Sequence, residues 1–353
     1  MRALVLSGGE GSRLRPITHT NAKQLIPIAN TPILFTALGA IRDAGITEVG
    51  IVVGSTADEV KTAVGDGSAW GLSVSYIPQE APLGLAHAVL AAREFVAGEP
   101  FVMYLGDNVL LEGIARFVEE YERYRPNAQI FLARVPEPER FGVAVLEGDR
   151  VVRLVEKPKE HVSDLALVGA YLFDDSILEA AAAITPSWRG ELEITDAIQW
   201  LIDHGRTVRA SMVTGWWKDT GRPEDLLEAN RMMLSTLAPR VDGEIDAASR
   251  IEGVVVVEPG AKVVRSRLRG PVIVGADATL EDARVGPFVS VGPGCTIEAS
   301  GVEDSILMDG SVISRVEGVV ERSILGRGVE IRHSGTSGVH RIIAGDLTQV
   351  DVD

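Results

Sequence analysis

The chain has 353 residues, of which 46% are hydrophobic, so it has room for about two domains and is not disordered as a whole. Its 34 Lys and Arg residues face 50 Asp and Glu residues, and the net charge of −16 disfavours nucleic acid and anionic membranes as partners. The single cysteine, Cys295, excludes an intrachain disulfide and a cysteine-based zinc site. Because no apolar run is long enough for a signal sequence or a membrane helix, we expect a soluble, cytoplasmic protein.

Short apolar runs alternate with helical patterns in the first part of the chain. The predicted strands are Arg2–Leu6, Val49–Val53, Val74–Ile77 and Phe101–Leu105. Helices are predicted to start at Thr31-Pro32 and at Thr56 and to span Leu85–Val96. This rhythm predicts an α/β, Rossmann-like domain with a mostly parallel sheet, which would bind its ligand at the carboxyl ends of the strands.

Three further elements complete this predicted domain, which covers residues 1–237. They are a hairpin over Val143–Val155 and helices over Glu191–His204 and Pro223–Leu237. Residues 238–250 are predicted to form a linker to a second domain.

A different pattern begins at Ile251, where apolar residues recur every six positions with Gly or Pro between them. Val257, Val263, Leu280 and Ile297 follow this period. The pattern predicts a left-handed parallel β-helix of hexapeptide repeats over residues 251–353. A β-sandwich, in which side chains alternate with a period of two, fits the spacing less well.

A glycine-rich segment, Gly8 to Pro16, follows the first predicted strand. Gly8, Gly9 and Gly11 let the main chain approach an anion closely, and the Arg13 guanidinium suits phosphate oxygens. The segment lacks both the Gly-Lys-Ser/Thr of a P-loop and the third glycine of a dinucleotide-binding fingerprint.

Lys23 and Gln24 come next, in a position to return over the glycine loop. Lys23 could neutralise an α-phosphate there, and Gln24 could read the edge of a ring. A lone lysine in such a loop would more often be solvated.

Two aspartates are candidate metal ligands. Asp107 lies in Gly106–Asn108, which directly follows the strand Phe101–Leu105, and Asp219 lies in the distant segment Trp217–Gly221. Together they could hold one Mg²⁺ that carries phosphate oxygens, although a turn-forming or helix-capping role is the alternative for Asp107.

Glu156 and Lys157 end the predicted hairpin, where they could bind a sugar hydroxyl and a phosphate. A surface ion pair is the commoner reason for such a dipeptide. Arg189 precedes an acidic helix start and is the one residue of that segment that indicates phosphate binding.

Taken together, these motifs resemble those of the sugar-1-phosphate nucleotidylyltransferases, in particular the long-form thymidylyltransferases that act on glucose 1-phosphate. The matching pieces keep the family's order over about the first 225 residues. They are Gly8–Pro16, Lys23–Pro27, Gly65–Leu72, Gln79–Ala86, Gly106–Asn108, Phe141–Val143, Glu156–Pro158, Arg189–Asp196 and Asp219–Gly221. The hexapeptide half is similar to the β-helix of the long form. Leu83 stands where short-form members often carry aspartate, so short-form contacts are not carried over.

The resemblance implies that dTTP and glucose 1-phosphate give dTDP-glucose and pyrophosphate with Mg²⁺ as cofactor. It assigns triphosphate contacts to Arg13 and Lys23, and the sugar phosphate to Lys157 with help from Arg189. It assigns Mg²⁺ to Asp107 and Asp219. It further assigns the pyrimidine edge to Gln24, Gln79 and Gly84, and the sugar to Gly142, Glu156 and the strand from Leu167 to Tyr171.

Besides an added acyl-transfer activity of the β-helix, in which His333 and His340 are the only histidines, two alternatives stay open at this point. A uridylyltransferase would differ only in the methyl group of the base, which gives about 1–3 kcal/mol of discrimination. A non-catalytic β-helix assembly subunit would have no need of the retained phosphate-binding set. In either case we expect small-molecule or protein partners rather than nucleic acid, and a homo-oligomer built on the β-helix.

Overall fold

The computed structural model describes residues 1–9, 11–148, 150–334 and 338–351. Contacts within the chain divide it into two units, which are not the two predicted domains. The first unit comprises Met1–Glu10 and Ile33–Asp219, and the second comprises Gly11–Pro32 and Thr220–Asp353. The segment that follows the glycines therefore belongs with the C-terminal half.

Up to Asp219, the strands, in chain order, are β1 (Arg2–Ser7), β2 (Pro27–Ile28), β3 (Thr31–Pro32), β4 (Glu48–Val53), β5 (Ser73–Pro78), β6 (Phe101–Leu105), β7 (Asn108–Leu110), β8 (Ala128–Arg134), β9 (Gly142–Glu147), β10 (Arg150–Glu156), β11 (Leu165–Phe173), β12 (Val208–Met212) and β13 (Trp217–Asp219). The helices are α1 (Ile33–Asp43), α2 (Ala57–Val64), α3 (Leu85–Ala91), α4 (Arg93–Val96), α5 (Ala115–Tyr124), α6 (Ser176–Ala183), α7 (Ile194–Asp203) and α8 (Pro223–Ser235).

The first unit is built on a nine-stranded sheet with the order β5-β4-β1-β6-β11-β8-β12-β10-β9. Strands β5, β4, β1 and β6 are parallel, as the sequence predicts. Beyond β6 the sheet is mixed, because β11 runs antiparallel to both of its main neighbours and β9 and β10 form the predicted hairpin. The near-continuous apolar sequences of β1, β6 and β11 follow from burial on both faces of the sheet.

Helix boundaries differ from the prediction in two places. Thr31 and Pro32 pair with Pro27 and Ile28 in a short hairpin, and α1 begins only at Ile33. The helix predicted over Leu85–Val96 is interrupted at Ala92. In the part of the chain that the structure describes, no helix has the length and apolar character needed to cross a membrane.

After α8, the described residues of the second unit form twenty short strands, which coil so that every third strand joins the same parallel sheet. They are β14 (Arg240–Val241), β15 (Glu244–Ile245), β16 (Arg250–Glu252), β17 (Val255–Val257), β18 (Lys262–Val264), β19 (Arg267–Arg269), β20 (Val272–Val274), β21 (Thr279–Glu281), β22 (Arg284–Val285), β23 (Val289–Val291), β24 (Thr296–Glu298), β25 (Gly301–Glu303), β26 (Ile306–Leu307), β27 (Val312–Val316), β28 (Val319–Glu321), β29 (Ile324–Leu325), β30 (Glu330–Ser334), β31 (Val339–His340), β32 (Ile343–Ala344) and β33 (Gln349–Asp351). The three stacked sheets have the architecture of the predicted hexapeptide β-helix.

The interior of the β-helix is a column of aliphatic side chains, in which Val263, Leu280 and Ile297 stack in register. Cys295 is buried in this column, as the sequence predicts, and burial raises the pKa of its thiol to about 11. The six-residue period therefore reports one inward-facing residue of each rung, and some rungs add a second, as Val255 and Val257 do in β17.

Residues 238–250, predicted as a linker, contain β14 and β15 and the first residue of β16, and these strands pair with the next coil. This first coil has no coil beneath it, and its strands are largely exposed, including Ile251, at which the predicted repeat begins. The domain bounds 1–237, 238–250 and 251–353 stay a prediction about which parts fold together.

Candidate active site

The four parallel strands bring their carboxyl ends to one edge of the sheet. The register pairs Ser7 with Val53, Val53 with Pro78, and Leu6 with Leu105. The residues that follow these strands include Gly8, Gln79 and Asp107. Open α/β sheets bind ligands at this edge, so the fold places three predicted site residues where such sheets bind.

Gly8, Gln79 and Gly84 lie together at this edge. A Cβ atom built on Gly8 would lie 3.1 Å from Gln79 Oε1, so the Gly8 main chain approaches this side chain closely. The Gln79 amide donates to the Gly84 carbonyl at 3.3 Å, and its Nε2 lies 3.0 Å from His87 Nδ1. A pocket of about 420 Å³ opens beside Gln79, between the ends of β4 and β5. The predicted base-reading residues of the first unit therefore form one cluster.

Asp107 and Asp219 are brought to neighbouring positions by the antiparallel pair β7–β13. In that ladder Asp219 is opposite Asn108, which follows Asp107 directly. Among the described residues, no group of three or more His, Cys, Asp or Glu side chains could hold a metal ion. Mg²⁺ commonly binds proteins through only one or two carboxylates plus substrate phosphates, so the aspartate pair fits that mode.

Asn108 is a site residue that the sequence reasoning missed, although it was quoted within Gly106–Asn108. It is 2% exposed, donates to Asp107 Oδ1 at 3.0 Å and accepts from Trp217 Nε1 at 2.7 Å. At Gly169 the strand β11 bulges, and a Cβ there would lie 3.0 Å from the Asn108 amide. Asn108 therefore fixes the turn that carries Asp107. The available signal in the sequence was a polar residue in the short turn that follows an apolar strand.

A second cluster forms where the hairpin β9–β10 meets α7. Lys157 Nζ lies 3.9 Å from Glu156 Oε1, and an Arg189 guanidinium nitrogen lies 3.5 Å from the same oxygen. Thr195 donates to Glu156 Oε2 at 3.2 Å. A Cβ on Gly142 would lie 2.6 Å from Thr195 Cγ2 and 2.9 Å from Glu156 Oε2. Four predicted residues thus converge on one place.

Arg189 does not act as an isolated cation, because it also bonds to Glu191 at 2.7 Å and to Glu193 at 3.1 Å. Glu193 is 3% exposed. The sequence reasoning treated the acids of this segment as helix-dipole compensation and missed Glu193 and Thr195. Both face the cluster because α7 begins at Ile194, several residues later than predicted.

Burial raises the pKa of Glu156, and the nearby Glu193 carboxylate raises it further. Lys157, the Thr195 hydroxyl and Arg189 act in the opposite direction. Burial also raises the pKa of Tyr171, with a smaller contribution from Glu156. The cluster is therefore a half-enclosed polar site in which cations and carboxylates are held at short range.

Leu167 and Tyr171 flank the β11 bulge, and their side chains are packed in the core at 5% and 3% exposure. Tyr171 stacks on Phe173 with ring centroids 5.7 Å apart. Because these side chains are buried, the predicted sugar contact would have to come from this strand's main chain, and it stays a prediction.

The remaining predicted residues, Gly11, Arg13, Lys23 and Gln24, belong to the second unit. Lys23 lies close to Gly11, since a Cβ on Gly11 would lie 3.0 Å from Lys23 Cβ. Lys23 is 9% exposed and Gln24 is 3% exposed, whereas Arg13 is exposed on a short 3-10 turn. Among the described residues, the buried Gln24 Oε1 accepts no hydrogen bond, which is costly for an amide unless a ligand supplies a donor.

Comparison with known proteins agrees with this sheet and this set of motifs. The family model described as nucleotidyl transferase matches residues 2–236, so the chain belongs to the nucleotidyl transferase family. The predictions of a nucleotidyltransferase enzyme and of an α/β domain followed by a hexapeptide β-helix are confirmed.

Among curated relatives, the glucose-1-phosphate thymidylyltransferase of Streptomyces griseus is 53% identical over 354 residues, covering 100% of this chain and 99% of the relative. The enzyme of the same name from Streptomyces antibioticus is 51% identical over 355 residues, with the same coverage. A Bacillus anthracis protein described as a glucose-1-phosphate thymidylyltransferase, solved with sucrose, is 35% identical with a TM-score of 0.63, covering 66% of this chain and 94% of its own.

Proposed function

We propose that the chain transfers a thymidylyl group from dTTP to glucose 1-phosphate, giving dTDP-glucose and pyrophosphate. The observation that carries this proposal is the similarity to two Streptomyces enzymes of that name across their full length. That similarity extends through the β-helix and is not confined to the shared family domain.

The reaction needs little acid–base chemistry, because the attacking phosphate oxygen of the sugar is already anionic at neutral pH. This oxygen forms a bond to the α-phosphorus of the triphosphate while the bond from that phosphorus to the pyrophosphate oxygen breaks. The barrier lies in bringing two anions together in line and in stabilising charge at the α-phosphorus. Fixed cations and main-chain N–H groups are suited to both tasks.

In this proposal the cluster at the end of β10 holds the sugar phosphate. Lys157 and Arg189 supply positive charge for its phosphate, and the Glu156 carboxylate accepts a hydrogen bond from a sugar hydroxyl. The short distances within the cluster support this assignment. Gly142 leaves space beside Glu156 that a side chain would fill.

The triphosphate and the base are assigned to two further sets of predicted residues. Arg13 and Lys23 would hold phosphate oxygens, and the main-chain N–H groups of Gly8, Gly9 and Gly11 are the other predicted phosphate contacts. Gln24, Gln79 and Gly84 would read the pyrimidine edge, and the unpartnered Gln24 Oε1 supports that role.

Asp107 and Asp219 would hold Mg²⁺, and the β7–β13 register that makes them neighbours supports this assignment. When bound, the ion would neutralise charge on the triphosphate oxygens. Asn108 would fix the Asp107 carboxylate through its 3.0 Å hydrogen bond.

UTP is the second candidate donor. A UDP-glucose pyrophosphorylase solved with UDP-glucose is 25% identical with a TM-score of 0.60, covering 67% of this chain and 99% of its own. Thymine differs from uracil by one methyl group, and such a difference supports only about 10–200-fold discrimination.

A matrix of nucleoside triphosphates against sugar 1-phosphates, read by pyrophosphate release, tests the function. We expect the highest kcat/KM for dTTP with glucose 1-phosphate. A preference for UTP would show that UTP, and not dTTP, is the nucleotide donor. No turnover with any pair would reject the proposed nucleotidyl transfer.

Two further parts of the proposal concern the setting of the enzyme. The exposed strand edges of the first β-helix coil favour a homo-oligomer, which sedimentation at several concentrations tests. The free thiol of Cys295 suits a reducing cytoplasm, which localisation of the tagged chain tests.

A further inference from the structure

The segment Gly11–Pro32 forms one compact unit with the β-helix. It carries Arg13, Lys23 and Gln24, three of the groups proposed to bind the nucleoside triphosphate. Its own secondary structure consists of three single 3-10 turns and one two-residue hairpin. Such short elements do not hold a defined shape by themselves, so external contacts must fix the segment.

The last described coils of the β-helix supply such contacts through Asp346. Its Oδ2 accepts hydrogen bonds from Thr20 Oγ1 at 3.0 Å and from Asn21 Nδ2 at 2.9 Å. Its Oδ1 accepts the Arg327 main-chain N–H at 2.8 Å, and the Arg327 guanidinium donates to Asn21 Oδ1. Asn21 is 4% exposed, so both ends of a buried amide are bonded to the β-helix.

The same coil also contacts the main chain of the segment. A Cβ on Gly345 would lie 2.8 Å from the Pro16 carbonyl oxygen, so this residue of the β-helix is in close contact with the segment between Arg13 and Lys23. The anchor formed by Asp346, Arg327 and Gly345 therefore holds Pro16, Thr20 and Asn21, which lie between Arg13 and Lys23 in the sequence.

A second anchor holds the other end of the segment. The Ala29 N–H donates to Asn230 Oδ1 at 2.8 Å, and Asn30 Nδ2 donates to the Val291 carbonyl at 2.8 Å. Ser290 also donates to Asn230 Oδ1, at 2.6 Å, which links α8 and β23 at this point. The segment is thus fastened to the β-helix at both ends.

We propose that Asp346 and Arg327 are positioning residues for catalysis, because they hold Asn21 and thereby order Lys23 and Gln24. This inference rests on the proposed function and gives the β-helix a part in nucleotide binding that the sequence pattern alone does not indicate. Ordering a free segment costs conformational entropy, and a prefixed segment avoids that cost when the nucleotide binds. A small misplacement of a binding group lowers the rate strongly.

The experiment compares Asp346→Ala with Asp282→Ala in the full chain. Asp282 is a matched control, because it also pairs with an arginine of the β-helix, Arg265, but has no hydrogen bond to the segment among the contacts described. For Asp346→Ala we expect KM for the nucleoside triphosphate to rise about tenfold and KM for the sugar phosphate to change little. Hydrogen exchange at residues 16–25 should increase. The control should leave all three unchanged.

Two milder variants give an independent check. Thr20→Val removes one hydrogen bond to Asp346 and should shift the nucleotide KM in the same direction by a smaller factor. Arg327→Lys keeps a donor for Asn21 Oδ1 and should retain more activity than Arg327→Ala.

Unchanged exchange and unchanged nucleotide KM in folded Asp346→Ala would overturn the inference, and equal losses for both substrates would reduce the anchor to a purely structural role. If Asp346→Ala does not fold, Thr20→Val decides by the same two readouts. Absence of turnover in the wild type would reject the proposed function instead, and the exchange measurement would still test the anchor.

Discussion

The open sheet of the first unit and the β-helix of the second use parallel strands in opposite ways. In the sheet, strands distant in sequence become neighbours, and Gly8, Gln79 and Asp107 meet at one edge. In the β-helix each rung pairs with the next coil along the chain, so Val263 meets Leu280 and Leu280 meets Ile297. The sheet gathers unlike groups at one place, whereas the β-helix repeats like groups along an axis.

This difference indicates which side chains of each region stabilise the fold and which make specific polar contacts. Among the described residues, the hydrophobic column of the β-helix consists of aliphatic, alanine and cysteine side chains, which stabilise it but offer no chemistry. Buried serines of the β-helix, such as Ser305, Ser311 and Ser323, donate to main-chain carbonyls. Its specific polar contacts lie outside the column, at residues such as Asp346 and Arg327. Equivalent substitutions in the two regions should therefore have different consequences.

The largest expected contrast is between two aspartates. Asp107→Asn at the sheet edge should lower kcat/KM by about 10³-fold, because losing about 4 kcal/mol of charge stabilisation costs that factor. Asp282→Asn, an exposed aspartate of the β-helix, should leave activity within twofold of wild type. Pyrophosphate release over a range of Mg²⁺ concentrations measures both, and a near-normal rate for folded Asp107→Asn would refute the metal assignment.

Glu156 provides a contrast in pH dependence. Because burial raises its pKa, the carboxylate takes up a proton at a higher pH than an exposed glutamate as the solution is acidified. We expect KM for the sugar phosphate to rise as the pH falls through the folded-state pKa of Glu156. In Glu156→Gln this KM should be about tenfold higher than in the wild type and should not change with pH over the same range. A mutant that keeps the wild-type pH profile would contradict the proposed sugar contact.

The same shift has a defined sign for stability. Since the folded-state pKa lies above the unfolded value, the stabilising contribution of Glu156 is fully present below the unfolded pKa. It is lost as the pH rises through the folded-state pKa. Denaturant unfolding measures the free energy of unfolding of wild type and Glu156→Gln across this pH range. The decrease in that free energy with rising pH that Glu156 causes in the wild type should be absent in the variant.

The smallest expected contrast is between two glycines. Gly142→Ala places a Cβ 2.6 Å from Thr195 Cγ2 and 2.9 Å from Glu156 Oε2, so it should raise the sugar-phosphate KM severalfold as well as lower Tm. Gly318 in the β-helix has φ of +94° and a Cβ there would overlap the Gly338 carbonyl. Gly318→Ala should cost about 1–3 kcal/mol of stability with unchanged kinetics. A kinetic defect in Gly318→Ala would contradict the expectation that this substitution in the β-helix affects stability and not kinetics.

Much of the fold was readable from local pattern. The strands β1, β4 and β6 and the hairpin β9–β10 are short apolar runs bounded by turn residues, and the six-residue repeat identified the β-helix. The strands β14 and β15 within residues 238–250 were not recognised from the sequence, because their side chains are largely exposed and carry no apolar repeat. The mixed part of the sheet was not predicted, since strand direction is not encoded in the composition of a strand.

Much of the candidate site was also readable, but only as separate pieces. Gly142, Glu156, Lys157 and Arg189 were identified singly, and the structure brings them together. The sequence reasoning missed three buried polar residues, Asn108, Glu193 and Thr195. Such residues are recognised by their tertiary contacts, which the sequence does not show. The anchoring of Asn21 by Asp346 was equally invisible to local pattern.

The sequence by itself determined the class of each half, because hydrophobic periodicity and glycine spacing are local properties that follow from strand and helix geometry. Only the tertiary structure decided that the segment from Gly11 to Pro32 packs with the C-terminal half and that Asp219 lies beside Asn108. Those pairings join residues far apart in the chain, and they depend on packing and hydrogen-bond register that no short window of sequence contains.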